Sequence, residues 1–111
     1  MLVASLLIYS GLENPRWTIV GAAEQLLLSQ LQQLPVIPGG SAGLPGLGYS
    51  GVELIREIAT GEVESWMLYD GTVAHAGRCF EDRGRRLERR VIELGRARLG
   101  DLIPQDLFWS Q

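Results

Sequence analysis

The sequence predicts an α+β domain in the order β-α-β-β-β-α, with a mostly antiparallel four-stranded sheet packed against two helices. An apolar run with no helical periodicity opens the chain. Two later segments repeat their apolar residues at spacings of three and four, which is typical of amphipathic helices. Between these segments, apolar runs are separated by short glycine-containing turns, as in a series of hairpins. With 111 residues, the chain fits one domain over 1–111.

The first two predicted elements are a strand and a helix joined by a short loop. Residues 2–9 are rich in Leu, Ile and Val with little polar alternation, which is typical of a strand that is central in its sheet or covered on both faces. Asn14-Pro15 disfavours helix at Asn14, so we expect Thr18 to cap the first helix and Pro35 to end it. The apolar stripe of this helix consists of Val20, Ala23, Leu27, Leu31 and Leu34.

Glycine and proline dominate residues 35–51, which contain six glycines and three prolines and show no periodicity. We expect a long loop there rather than a linker between domains. Two turns in the following segment, Thr60-Gly61 and Asp70-Gly71, predict antiparallel hairpins. The three strands are expected over 52–58, 63–69 and 72–77.

These two turns also predict which residues face each other. If the second turn consists of two residues, Trp66 faces His75, and we expect the imidazole to stack beside the indole. If the first turn is formed in the same way, it places Glu57 opposite Glu64. Two like charges opposite each other are unfavourable, so the register of the first hairpin stays open.

A second helix is predicted over 83–98, with Asp82 as its cap and Gly100 at its end. Its buried stripe should consist of Leu87, Val91 and Leu94. The carboxyl-terminal tail, 103–111, is apolar enough to pack against another surface.

The composition excludes several kinds of chemistry. All ten basic residues are arginine, so the chain has neither a P-loop lysine nor a lysine that could form a Schiff base. The single cysteine, Cys79, cannot form an internal disulfide, and the single histidine, His75, excludes a metal site with two histidine ligands. We therefore expect no metal and no cofactor.

The apolar stretches fall well short of the roughly 20 residues that a membrane helix requires. The amino-terminal run has no basic region before it and is interrupted by Ser5, which does not fit a secretory signal. The sequence therefore predicts a cytoplasmic protein with no membrane partner.

Two short patterns resemble functional motifs but lack the context that the chemistry needs. Residues 46–51 have the form G-x-G-x-x-G, yet no strand precedes them and a strand rather than a helix follows. Cys79 and His75 suggest a nucleophile and its base, but in an extended chain they would be about 13 Å apart. A structural cysteine is the favoured interpretation, and the scattered carboxylates provide no acid–base pair for an enzyme.

The predicted second helix is rich in arginine and is the main candidate for an interface. Residues 78–98 carry eight arginines and four acidic residues, whereas the whole chain has a net charge of −3. If Leu87 faces the core, three arginines and one isoleucine fall on the outward side of the helix. This set consists of Arg85, Arg89, Ile92 and Arg96.

An outward isoleucine among arginines fits contact with an acidic partner, with phosphates or with a second copy of the chain. The leading hypothesis is a non-catalytic interaction module that binds a protein or forms a homodimer through this face, Phe108 and Trp109. Nucleic acid is disfavoured, because a pI near 5.1 and the lack of lysine leave no broad basic surface. Anion or nucleic-acid binding by the arginines is an alternative, and so is a solvated face with salt bridges and no partner.

The corner from Asn14 to Trp17 suggests a different kind of function. A small molecule could bind between this corner and the loop over 35–51, in a binding or enzymatic pocket. The lining would consist of Ser10, Asn14, Trp17 and Tyr49. The alternative is that Trp17 packs against the first helix as a hydrophobic staple, with no ligand.

Three blocks of the sequence resemble a family of small bacterial proteins with an S-G-x-x-N-P-x-W signature. The blocks are Ser10-Gly11-x-x-Asn14-Pro15-x-Trp17, Leu47-Gly48-Tyr49-x-Gly51 and Arg86-Leu87-Glu88-Arg89. That family has no established activity or ligand, so the resemblance implies no function. It implies that the Asn-Pro-x-Trp corner and the Gly-Tyr loop belong together.

Overall fold

The computed structural model describes residues 1–8, 14–39 and 49–103, with the backbone alone at 49 and 50, and it contains one antiparallel sheet of six strands. The strands are β1 (Leu2–Ile8), β2 (Arg16–Ile19), β3 (Tyr49–Ala59), β4 (Glu62–Tyr69), β5 (Thr72–His75) and β6 (Arg78–Glu81). Their order across the sheet is β2-β1-β3-β4-β5-β6. The predicted α+β class is confirmed, but the prediction of four strands is wrong.

Two helices, α1 (Gly21–Gln32) and α2 (Arg86–Leu99), pack on one face of this sheet. Single 3₁₀ turns, Arg83–Arg85 and Gly100–Leu102, flank α2. The buried apolar residues of β1, β2, β3 and β4 occupy alternate positions, as expected when one face meets the core. They form one cluster with the buried residues of both helices: Leu2, Ala4, Leu6, Trp17, Ile19, Val52, Leu54, Trp66, Leu68, Val73, Leu27, Leu31, Leu87, Val91 and Ile92.

Strand β2 occupies the position where the sequence predicted the start of a helix. The Asn14 side-chain Oδ1 accepts a hydrogen bond from Ile8 N–H at 2.9 Å, and Leu6 N–H donates to Pro15 O. These bonds turn the chain back along β1, so Trp17 enters the core from a strand. The prediction of Thr18 as a helix cap is therefore wrong, since Val20 precedes α1.

Strand β6 was not predicted, and a two-residue turn produces it. Ala76 and Gly77 both have positive φ angles, 51° and 76°. Such a turn reverses the chain directly, so the strand predicted over 72–77 ends at His75. The outer edge of β6 is covered by the segment after α1, in which Ile37 N–H donates to Cys79 O at 2.8 Å.

The β3–β4 hairpin resolves the like-charge conflict seen in the sequence. An irregularity between Glu57 and Ala59 shifts the register by one residue, so Glu57 faces Val63. Glu64 then faces Arg56, and the two side chains form a salt bridge at 2.5 Å. A repulsive pair is thereby replaced by an attractive one.

The β4–β5 hairpin has the predicted register, with Met67 opposite Ala74 and Tyr69 opposite Thr72. The Trp66 and His75 rings stack with centroids 4.7 Å apart and planes 8° apart, which confirms the predicted contact. Within the described ranges, no helix combines the length and the apolar character needed to cross a membrane.

Candidate functional site

A basic groove runs along the line where α1 and α2 meet. It consists of two adjoining cavities of about 340 and 330 Å³, which share Gln30, Arg86 and Leu87. The groove is lined from α1 by Leu26 and Gln30, and from the following segment by Gln33, Leu34 and Pro35. The other side consists of Glu81, Asp82, Arg83, Arg86, Leu87, Arg89, Arg90 and Glu93. We refer to this surface as the α1–α2 groove.

The α1–α2 groove is lined by four arginines and three acidic residues. Arg86, Arg89 and Arg90 follow each other at spacings of three and one, which places them on one side of α2. Among the described residues, neither Arg86 nor Arg90 has an ion-pair partner. The Arg83 guanidinium is 89% exposed and lies 4.0 Å from the Glu81 carboxylate.

The acidic residue deepest in the groove is already bound by the protein. Asp82 is 2% exposed, and its carboxylate accepts hydrogen bonds from the backbone N–H groups of Leu87 and Glu88 at 3.0 and 3.1 Å. These are the first N–H groups of α2, which have no partner inside the helix. The predicted position of the cap is wrong, since α2 begins at Arg86 with Arg85 before it, but the Asp82 carboxylate does bind N–H groups of the first turn.

A junction with the β4–β5 turn holds the start of α2 in place. The fully buried Glu88 carboxylate accepts a hydrogen bond from Asp70 N–H at 3.0 Å. Arg85 has a left-handed backbone, with φ 58°, and its guanidinium donates to the Asp70 carboxylate. Since this guanidinium is 15% exposed and bound to Asp70, Arg85 does not belong to an outward ridge as predicted.

The predicted outward face of α2 needs a second correction. Ile92 is fully buried, so its expected place among exposed arginines is wrong. The five buried residues of α2 are centred about 70° away from Leu87, because Leu87 lies at the edge of the buried face. The outward side is therefore centred near Arg86 and Arg90. Arg89 is exposed as predicted, whereas Arg96 is half-buried.

Two of the four residues predicted to line a small-molecule pocket, Asn14 and Trp17, have described side chains. Trp17 is buried on the helix-covered face, whereas Asn14 lines a cavity of about 270 Å³ on the other face. That cavity is lined by Ser5, Leu7, Asn14, Arg16 and Glu53. Ser10, Phe108 and Trp109 lie outside the described residues, and so does the side chain of Tyr49. Trp17 also does not act as a helix staple, since it belongs to β2.

The structure separates Cys79 from His75 and shows why position 51 requires glycine. Cys79 faces Ala74 and His75 faces Arg78 across β5 and β6, so their side chains point to opposite sides of the sheet. Gly51 has a φ of 111° in β3, and a Cβ atom there would lie 2.5 Å from Leu68 O. No group of three potential metal ligands occurs within residues 1–8, 14–39 and 49–103.

Several residues that line the groove were not predicted as site residues. Arg86 and Arg90 belong to the arginine-rich segment but not to the predicted ridge, and Leu26, which is 51% exposed, is not among the predicted site residues. Placing the buried face of α2 between Leu87 and Ile92 would have identified both arginines. Chemically, the groove presents guanidinium groups that suit carboxylates, beside apolar and amide side chains. No protein-family model, curated protein or solved structure matches the chain significantly.

Proposed function

We propose that this protein is a non-catalytic interaction module that binds an acidic protein segment in the α1–α2 groove. The observation that carries the proposal is the position of Arg86 and Arg90, without ion-pair partners among the described residues, in a groove of a chain with a net charge of −3. Guanidinium groups bind carboxylates through paired hydrogen bonds, which favours acidic side chains as the ligand.

The composition of the groove favours a protein segment over a nucleic acid. Leu26 is half-exposed at its rim and Glu93 lies among its arginines, so the groove has apolar and acidic parts as well as basic ones. The phosphates of a nucleic acid would be repelled by Glu93, and they would make no favourable contact with the apolar side chain of Leu26. A peptide with acidic and apolar side chains complements both.

The buried carboxylates support a non-catalytic role. Asp82 and Glu88 both accept backbone hydrogen bonds, and both contribute to the fixed junction at the start of α2. A general acid or base must instead be free to exchange a proton with a substrate. These two groups hold the groove in shape.

Fluorescence anisotropy with a labelled peptide of alternating Glu and Leu tests this proposal. We expect saturable binding that weakens as salt screens the charges. The double variant Arg86→Glu/Arg90→Glu should bind at least about tenfold more weakly, a change of about 1.4 kcal/mol. Arg98→Glu is the matched control, because Arg98 is exposed on α2 but does not line the groove.

Equal binding by the groove variant and the control would contradict the proposal, as would no binding of the peptide to the unmodified protein. Tighter binding of single-stranded DNA than of the peptide, with a steep dependence on salt, would favour the nucleic-acid alternative instead.

A further inference from the structure

The end of the β3–β4 hairpin projects beyond the strands on either side of it. On one side, the pairing of β1 with β3 ends where Leu2 faces Arg56. On the other side, β5 ends at His75, and its last pair with β4 is formed by Met67 and Ala74. All seven residues over 57–63 are exposed. We refer to residues 57–63 as the acidic hairpin.

The acidic hairpin combines charge with apolar surface. Glu57 and Glu62 are its charged residues, and no basic residue occurs over 57–63. Ile58 is 54% exposed and Val63 is 64% exposed, although both are large apolar side chains. The tip therefore presents acidic and apolar side chains together.

We propose that the α1–α2 groove binds the acidic hairpin of a second copy of this chain. This inference rests on the proposed function, because it names the acidic segment that the groove would take. The Glu57 and Glu62 carboxylates complement the guanidinium groups of Arg86 and Arg90. Ile58 and Val63 would then cover apolar surface at the rim of the groove, where Leu26 is half-exposed.

This contact joins two different surfaces, so two copies either bind each other reciprocally in a dimer or continue head to tail. The acidic hairpin and the groove share no residue, since 57–63 is absent from both groove linings. Contacts between two different surfaces produce chains or closed rings of copies. The tip of one hairpin is small compared with a standard interface, so we expect assembly at high protein concentration and its loss in high salt.

Sedimentation velocity over micromolar to millimolar protein concentration provides the test. The unmodified protein should form dimers or larger species as its concentration rises. The groove variant Arg86→Glu/Arg90→Glu and the hairpin variant Glu57→Arg/Glu62→Arg should each remain monomeric, because each then carries like charges on both surfaces. An equimolar mixture of the two variants should assemble again, since each surface meets its opposite charge on the other variant.

Further variants and a folding measurement separate this contact from general effects of charge or misfolding. Asp101→Arg and Arg98→Glu reverse exposed charges outside both surfaces and should leave assembly unchanged. Ile58→Ser/Val63→Ser keeps every charge and should weaken assembly through its apolar part. Far-UV circular dichroism of each variant shows that it is folded, and restored assembly in the mixture is incompatible with misfolding.

The outcomes distinguish this inference from the proposed function. A monomer at all concentrations that still binds the acidic peptide overturns the inference and leaves the proposed function standing. A monomer that binds no peptide overturns both. A dimer whose formation is unaffected by Glu57→Arg/Glu62→Arg also overturns the inference, because the copies then associate through another surface.

Discussion

Gly95 of α2 lies directly against the indole ring of Trp17. A Cβ atom at position 95 would stand 2.7 Å from Trp17 Cε2 and 2.6 Å from Ile103 Cδ1. Trp17 is 4% exposed, so it cannot move aside into solvent. The helix therefore approaches β2 as closely as it does because this residue has no side chain.

Gly95→Ala should destabilise the protein, although alanine is the better helix former. Helix propensity alone favours alanine by about 1 kcal/mol. The clash with Trp17 and Ile103 should outweigh this gain and lower the free energy of unfolding by about 1–3 kcal/mol. Urea denaturation measures the change, and adding Ile103→Val should recover part of the loss. A more stable Gly95→Ala variant would show that the contact is not tight.

Glu64→Ala should lower the stability of the protein, because it removes an acceptor that contacts side chains of β3 and β5. The Glu64 carboxylate binds Arg56 at 2.5 Å and lies 3.3 Å from His75 Nε2. Because these side chains are about a quarter exposed, we expect a loss of about 1 kcal/mol in unfolding free energy. Glu62→Ala is the control, since Glu62 is exposed in the same strand, and it should change little. If both variants lose the same unfolding free energy, the Arg56–Glu64 ion pair is not the cause of the loss.

Asp82→Ala should loosen the first turn of α2. The variant leaves the N–H groups of Leu87 and Glu88 without their acceptor, at a cost of about 1–2 kcal/mol. Amide hydrogen exchange should show faster exchange at those two groups, while the middle of the helix stays protected. Asp82→Asn retains one acceptor oxygen and should lose less. Unchanged exchange in Asp82→Ala would show that the carboxylate does not protect these N–H groups.

Ile92→Glu distinguishes the buried position of Ile92 from the outward position that the sequence suggested. An unpaired charge at this fully buried site should cost about 3 kcal/mol or more and unfold much of the protein at room temperature. Arg90→Glu, two residues earlier on the exposed side, should leave the thermal midpoint nearly unchanged. A folded and stable Ile92→Glu variant would show that Ile92 is exposed to solvent and not buried.

The fold class followed from patterns that extend over many residues. The hairpin at Asp70-Gly71 and the helix around Val91 were predictable because alternation and three-four spacing persist through several turns. The register that sets Trp66 beside His75 follows from a two-residue turn alone.

The elements that were missed are short and depend on contacts distant in sequence. Strand β2 has four residues, too few for a pattern, and its place is set by Asn14 binding Ile8 N–H. The turn before β6 requires a positive φ angle at Ala76. Alanine rarely adopts this conformation, so the sequence does not predict the turn. The groove combines residues of α1 and α2, and which side of α2 faces outward depends on how the helix crosses the sheet.

The strand order has a consequence for how the chain folds. Strands β3 to β6 form a run of neighbouring hairpins, and β1 pairs locally with β2. In the sheet, the two groups join along the pairing of β1 with β3, from Leu2 opposite Arg56 to Leu6 opposite Val52. Closing so large a loop is slow compared with forming hairpins. We expect the docking of β1 on β3 to limit the folding rate, so that stopped-flow refolding slows when this pairing is weakened, whereas changes in β5 and β6 mainly speed unfolding.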